Sequence, residues 1–211
     1  MKKALFFDLD GTLWNALQVL CESWNEAMEK ENKHYRFDLP KMQSYMGLTP
    51  LETVELGFND VPVEEGMRLF NICLEAEVKY MATHPGTMYP FEEEVIKELA
   101  SKYDLYIVSN CGNGYIENYL NALNMKPYFK DIANVGKPKD EKWLNILYLK
   151  ERDNIDDIIY IGDTQKDKNE SNKAGVKFIH ANYGFGVIEN DEYYIDSLKD
   201  LPIMVEKLFH K

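Results

Sequence analysis

Residues 4–13 read Ala4-Leu5-Phe6-Phe7-Asp8-Leu9-Asp10-Gly11-Thr12-Leu13, an apolar run that stops at two carboxylates and a glycine. Four apolar side chains in a row are too few for a helix, and they do not alternate with polar ones. They read as a short strand buried on both faces and ended by the Asp10-Gly11 turn. Three later runs have the same character: Leu105-Tyr106-Ile107-Val108, Ile158-Ile159-Tyr160-Ile161 and Val176-Lys177-Phe178-Ile179. Continuous apolar strands with helices between them belong to parallel sheets covered on both faces.

The helices between these runs are legible. Val95, Ile96, Leu99 and Tyr103 form a stripe after Pro90, and further helices are predicted over Tyr115–Leu123, Trp143–Leu149 and Leu198–Phe209. Residues 165–174 form a short helix stopped by Gly175. Residues 15 to about 85 break the alternation and hold no strand candidate. Leu17, Leu20, Trp24, Ala27 and Met28 share one helical face, and Met67, Phe70, Leu74, Val78 and Met81 share another. The fold class is therefore α/β, a doubly wound parallel sheet with an inserted helical bundle. The expected division is a core of residues 1–14 and 87–211 with a helical insert of residues 15–86. The crossings fall at Leu13–Asn15 and His84–Pro90.

The chain has 211 residues, 45% hydrophobic and 28% charged, which fits a globular domain with a sizeable core. A formal net charge of −12 disfavours nucleic acid and anionic lipid as partners. Cys21, Cys73 and Cys111 are odd in number and widely spaced, so reduced thiols are expected rather than a disulfide framework or a zinc site. The apolar run after Met1-Lys2-Lys3 is too short for a signal peptide, and no window is long enough for a membrane span. A cytoplasmic monomer or weak homodimer is expected.

Doubly wound sheets bind ligands beyond the carboxyl ends of their strands. Four polar signals fall there: Asp8-Leu9-Asp10-Gly11-Thr12, Ser109-Asn110, Gly136-Lys137-Pro138 and Gly162-Asp163-Thr164-Gln165-Lys166-Asp167. Each alone has an ordinary explanation. An Asp-x-Asp-Gly is often a turn, Ser-Asn an N-cap, Gly-Lys-Pro a surface turn, and Gly-Asp-x-x-x-Asp an acidic helix start. Their joint order on strand ends is what points to a site. The four histidines, His34, His84, His180 and His210, show no ligand spacing and read as surface or loop residues. Glu92-Glu93-Glu94 reads as a helix start, and Tyr183, Phe185, Tyr193 and Tyr194 as packing.

In that order and context the chain resembles the haloacid dehalogenase superfamily in its phosphatase branch, with phosphoglycolate phosphatases and β-phosphoglucomutases as the related types. Asp8 to Leu13 matches the first motif, Ser109 the second, Lys137 the third, and Asp163 with Asp167 the fourth. The resemblance implies a Rossmann-like core, a mobile helical cap, Mg²⁺ and a small phosphorylated metabolite as substrate. It makes Asp8 the nucleophile of a phospho-aspartate mechanism, with Asp10 as proton donor and later base. Two carboxylates this close repel, so a hard cation is expected between them, held by Asp8, the Asp10 backbone carbonyl and Asp163. Asp167 then either ligates through water or orients Lys137. Ser109, Asn110 and Lys137 hold the phosphoryl group, while Gly11 and Thr12 shape the loop. The segment Ile132–Gly136 is short against the family, which makes Lys139 a reserve for Lys137. Asn15-Ala16 stands at the cap hinge where relatives carry Asp-Ser. Gly47, Leu48 and Thr49 resemble the cap loop that enters the site, with Tyr45 and Glu52 nearby and Lys41 or Arg68 as the basic side chains within reach. The rival readings are a phosphosugar mutase using the same Asp8, and a non-catalytic binding module on the same fold.

Overall fold

The computed structural model describes residues 1–210 apart from 135, 137, 189 and 190. Six strands form one parallel sheet: β1 (Lys3–Phe7), β4 (Asp104–Ser109), β5 (Asp131–Asn134), β6 (Asp157–Gly162), β7 (Lys177–Ala181) and β8 (Tyr194–Ile195). Their spatial order is β5-β4-β1-β6-β7-β8. Counted in order of appearance this is third, second, first, fourth, fifth, sixth, the doubly wound order whose direction reverses between β1 and β6. The register pairs Phe7 with Ile107 on one side and with Ile161 on the other.

The continuous apolar runs have the cause expected of them. Ala4, Leu5, Phe6 and Phe7 are all fully buried, and alternate residues feed two separate cores. Leu5, Phe7, Leu105, Ile107, Ile159 and Ile161 face one cluster, whereas Ala4, Phe6, Tyr106, Val108, Ile158 and Tyr160 face the other. The second cluster is closed by Ile146 and Leu149 of α7 (Lys142–Arg152) and Ala174 of α8 (Gln165–Ala174). The first is covered by α5 (Glu92–Ala100), α6 (Tyr115–Ala122) and α9 (Leu201–Phe209), and it continues into the inserted helices.

Those helices are α1 (Leu17–Lys30), α2 (Leu39–Gln43), α3 (Pro50–Gly57) and α4 (Val63–Met81). The chain enters and leaves this region through a two-stranded antiparallel ribbon, β2 (Trp14–Asn15) with β3 (Thr87–Met88), at the two crossings read from sequence. Asn15 Oδ1 accepts the Leu17 amide at 3.1 Å, just ahead of α1. The α4 stripe is rotated from its expected position. Gly66, Leu69, Phe70, Cys73, Glu77 and Met81 are buried, whereas Met67, Leu74 and Val78 are only partly so. The carboxyl of Glu77 sits on the buried stripe, and a periodicity reading does not count it as apolar. The closing helix is also shorter than expected: residues 198–200 form a 3₁₀ turn ahead of α9. His180, expected at the surface, lies in β7 and is 1% exposed. Glu92 starts α5 as expected, but it is buried and accepts the Tyr119 hydroxyl at 2.6 Å.

Gly66 fixes how α3 meets α4. A Cβ there would meet Val54 Cγ1 at 2.6 Å. Gly66→Ala overpacks this contact, at an expected cost of about 1–3 kcal/mol. Urea unfolding should show a lower midpoint for the variant; an unchanged midpoint contradicts this packing.

Candidate active site

Three adjacent strands end at one place. Asp8 follows β1, Ser109 ends β4, and Asp163 follows β6. Because β1 lies between the other two strands, residues more than 150 positions apart meet without any side chain reaching far. The Asp8 amide donates to the Ile161 carbonyl at 2.8 Å, so the ladder continues up to the carboxylate itself.

The fixed cation beside Asp8 is Lys142. Its Nζ donates to Asp8 Oδ1 at 2.9 Å and to Asp167 Oδ1 at 2.6 Å, and the residue is 4% exposed. Burial pushes this ammonium toward neutrality, but the Asp167 and Asp8 carboxylates outweigh it and hold its pKa well above the ordinary lysine value. Burial likewise raises Asp8 to about 6, with Lys142 opposing the rise and Asp167 adding to it. Lys137, the lysine expected in this place, lies outside the described residues. Lys139, its reserve, points elsewhere, with Nζ over the Tyr148 ring at 5.7 Å. The sequence does carry a signal for Lys142. With Asn145, Ile146 and Leu149 it completes an i, i+3, i+4, i+7 stripe, so a lysine heads the buried face of α7.

Asp167 holds Lys142 in turn. Its second oxygen accepts the Thr164 amide at 3.0 Å and hydroxyl at 2.6 Å, closing a capping box at the start of α8. Both oxygens of this carboxylate are therefore occupied.

Asp163 is fully buried in a cradle of glycines. Oδ2 accepts the Phe185 amide at 2.7 Å and the Gly186 amide at 3.3 Å. A Cβ on Gly11, at φ +80°, would meet Oδ2 at 2.2 Å, and one on Gly184 would meet Asp163 Cβ at 2.3 Å. Side chains are excluded at these positions so that backbone can close on the carboxylate. Asp163 Oδ1 is buried with no hydrogen-bond partner among the described residues. One oxygen from each of Asp8, Asp163 and Asp167 lies within 4.8 Å of the others. Burial, then repulsion from Asp167 and Asp8, raises Asp163 well above the carboxylate range. An all-oxygen set with an orphaned lone pair and unfavourable mutual charge fits a hard divalent cation. The Asp10 side chain is not among these three. The loop residues Gly184, Phe185 and Gly186 support this carboxylate; of them the sequence reading places only Phe185, in a packing cluster.

Asp10 is held by different partners. Oδ1 accepts the Trp14 indole N–H at 3.0 Å and the Tyr115 hydroxyl at 2.8 Å. Trp14 is itself wedged edge-on against the Tyr115 and Tyr119 rings. Burial raises Asp10 to about 7, the Tyr115 bond opposing the rise and the Asp8 charge adding to it. Thr12, expected to brace this loop through its hydroxyl, does not do so among the described residues. Oγ1 is buried without a partner, and the Thr12 carbonyl accepts the Tyr183 hydroxyl at 2.7 Å instead.

A cavity of about 300 Å³ opens over Asp8, Asp10, Ser109, Asn110 and Lys142 and reaches up to the inserted helices. Gly47 and Leu48 line it, as does Tyr45, but Thr49 does not. Thr49 caps α3 in a box with Glu52, which pairs with Lys166 at 2.7 Å. Lys41 and Arg68 are also absent from the lining. Lys41 lies over the Phe37 ring, and Arg68 bridges Glu65 and Glu31.

The comparisons with known proteins agree with this geometry. Residues 5–181 match the family model of haloacid dehalogenase-like hydrolases, and the chain belongs to that family. A phosphoglycolate phosphatase of Vibrio parahaemolyticus is 22% identical over 94% of both proteins. A haloacid dehalogenase-like hydrolase from Streptococcus pneumoniae superimposes with a TM-score of 0.80 at 20% identity, covering 97% of this chain and 98% of that one. A β-phosphoglucomutase from Clostridium difficile does so with a TM-score of 0.75 at 19% identity over all of both chains. At these identities the solved structures report a shared fold.

The raised Asp10 value sets a pH dependence. In metal-free protein the folded state holds this proton up to about pH 7, whereas the unfolded chain releases it near pH 4. The folded state binds more protons in that window, so stability from this group is full at acid pH and lost as pH rises through 7. Asp10→Asn removes the loss. Its melting temperature relative to wild type should be near zero at pH 4 and higher by about 3 °C or more at pH 8 without metal. A difference independent of pH contradicts the assignment.

Proposed function

We propose that this chain is a Mg²⁺-dependent phosphatase that hydrolyses small phosphate monoesters through a phosphoryl group carried on Asp8. The observation that carries this reading is the Asp8 carboxylate, buried and held at 2.9 Å by a buried lysine, beside an aspartate with an unpartnered oxygen. A nucleophile that must approach a dianionic phosphate needs charge neutralisation and fixed geometry more than intrinsic reactivity.

Asp8 and Asp163 would hold the ion with help from the surrounding backbone; Asp167 is already committed to Lys142 and Thr164. When bound, the ion neutralises the phosphoryl oxygens and the crowded carboxylates. The remaining work falls to the chain. Lys142 keeps Asp8 ionised and in one rotamer. The Asp8 carboxylate attacks phosphorus as the bond from phosphorus to the alcohol oxygen breaks. Asp10, protonated for part of the population near neutrality, gives its proton to the departing oxygen. It then takes a proton from the water that attacks the acyl phosphate, releasing inorganic phosphate and restoring Asp8. Ser109, with Asn110 and the amides beyond it, faces the phosphoryl oxygens from the end of β4. Residues 15–86 act as a cap over a core of residues 1–14 and 87–211, excluding bulk water from the acyl phosphate.

The test is phosphate release from a panel of monoesters. Wild type should turn over only with divalent metal. Asp8→Asn and Lys142→Met should each lose at least about 10³-fold while remaining folded, and Lys137→Ala should keep most of its activity. Retained turnover in Asp8→Asn would remove the nucleophile; loss in Lys137→Ala with retention in Lys142→Met would reverse the lysine assignment.

A further inference from the structure

We infer that the alcohol released at this site is small and carries no second anionic group, with its body against the apolar cap wall and a hydrogen-bonding group turned to Glu77. The inference rests on the phosphatase reading above and names its substrate class.

The cavity has two unlike walls. The core wall is polar and holds the phosphoryl end: Asp8, Asp10, Ser109, Asn110 and Lys142. The cap wall is largely apolar, with Leu20, Trp24, Met42, Leu48, Phe70 and Leu74 beside the polar Tyr45 and Thr53. Among the described residues the Tyr45 hydroxyl is buried without a partner, and the one carboxyl that this wall contributes is Glu77, which is 3% exposed. Its Oε2 accepts the Trp24 indole N–H at 2.7 Å, and no other side chain bonds this carboxyl among the described residues. The cavity volume, about 300 Å³, is at the lower end for small-molecule sites. Part of it belongs to the phosphoryl group, so little remains for the alcohol.

Charge decides what that alcohol can be. Among the described residues Lys142 is the one cationic side chain in the lining, and Asp8 and Asp167 already hold it. A carboxylate or second phosphate on the substrate would be drawn from water onto Leu48, Phe70 and Leu74, with no cationic side chain of that wall among the described residues to meet it, and desolvated charges without partners are strongly disfavoured. It would also face Glu77, which is either neutral or of the same sign. A hydroxyl or an ammonium group meets no such penalty. A carboxyl can accept from either one, and Trp24 holds it in place. On this ground the natural substrate differs from phosphoglycolate, the substrate in the name of the Vibrio relative.

Three esters that differ in one group test this: 2-phosphoglycolate, 2-hydroxyethyl phosphate and 2-aminoethyl phosphate, assayed with Mg²⁺. The hydroxyethyl or aminoethyl ester should exceed phosphoglycolate in kcat/KM by about tenfold or more. Glu77→Leu should raise KM for the preferred ester about fivefold or more with kcat held, and Glu77→Gln should restore KM to within about twofold. Phosphoglycolate hydrolysed as well as or better than both others overturns this inference and leaves the phosphatase reading intact. An unchanged KM in Glu77→Leu overturns the role of Glu77. No phosphate release from any ester, with metal present, overturns the phosphatase reading and this inference with it.

Discussion

A lysine ammonium buried between two aspartates sets the terms for the rest of this protein. Lys142 would be costly to bury alone, and so would Asp8 and Asp167; together each supplies the partner that the others lack. The arrangement is asymmetric in a useful way. Asp167 has one oxygen on Lys142 and the other in the α8 capping box. Asp8 accepts Lys142 through Oδ1 and stands at the open end of β1, facing the cavity. One carboxylate is thus tied at both oxygens, and the other is oriented and reachable. The sheet makes this possible, because the strands on either side of β1 deliver Ser109 and Asp163 to the same edge.

The second constraint is the absence of side chains around Asp163. Gly11, Gly184 and Gly186 each leave less room than a methyl group needs, so two backbone amides can reach one oxygen of this carboxylate. The other oxygen has no hydrogen-bond partner among the described residues, in a carboxylate that lies beside Asp8. Asp10 is tied from the opposite side, by Trp14 and Tyr115, and burial raises its pKa to about 7. Carboxylates within a few residues or ångströms of one another are thereby given separate duties by their surroundings.

The sequence made the central strands legible because burial on both faces leaves a continuous apolar run. That reading gave β1, β4, β6 and β7, and with them the strand ends where Asp8, Ser109 and Asp163 meet. It passed over β5 and β8, which lie at the sheet edges. β5 reads Asp131-Ile132-Ala133-Asn134 and β8 spans only two residues, so neither carries an apolar run. It also passed over Lys142 and Glu77 for one shared reason. Each is a charged residue on the buried stripe of a helix, and periodicity arguments assign charge to the solvated face. The rotated α4 face follows from the same omission. The glycines at 184 and 186 were legible as letters but not as a cradle, since their role exists only once Asp163 is brought against them.

The claim on which the account turns is that these strand ends enclose one cation beside a lysine-bound Asp8. Crystals grown with Mn²⁺ and measured at an anomalous wavelength locate the ion directly. The account predicts a single strong peak within bonding distance of Asp8 and Asp163 carboxylate oxygens, with Lys142 Nζ still on Asp8 and Asp167. An ion bound away from Asp163, or Lys142 displaced from Asp8 when the metal enters, would contradict it.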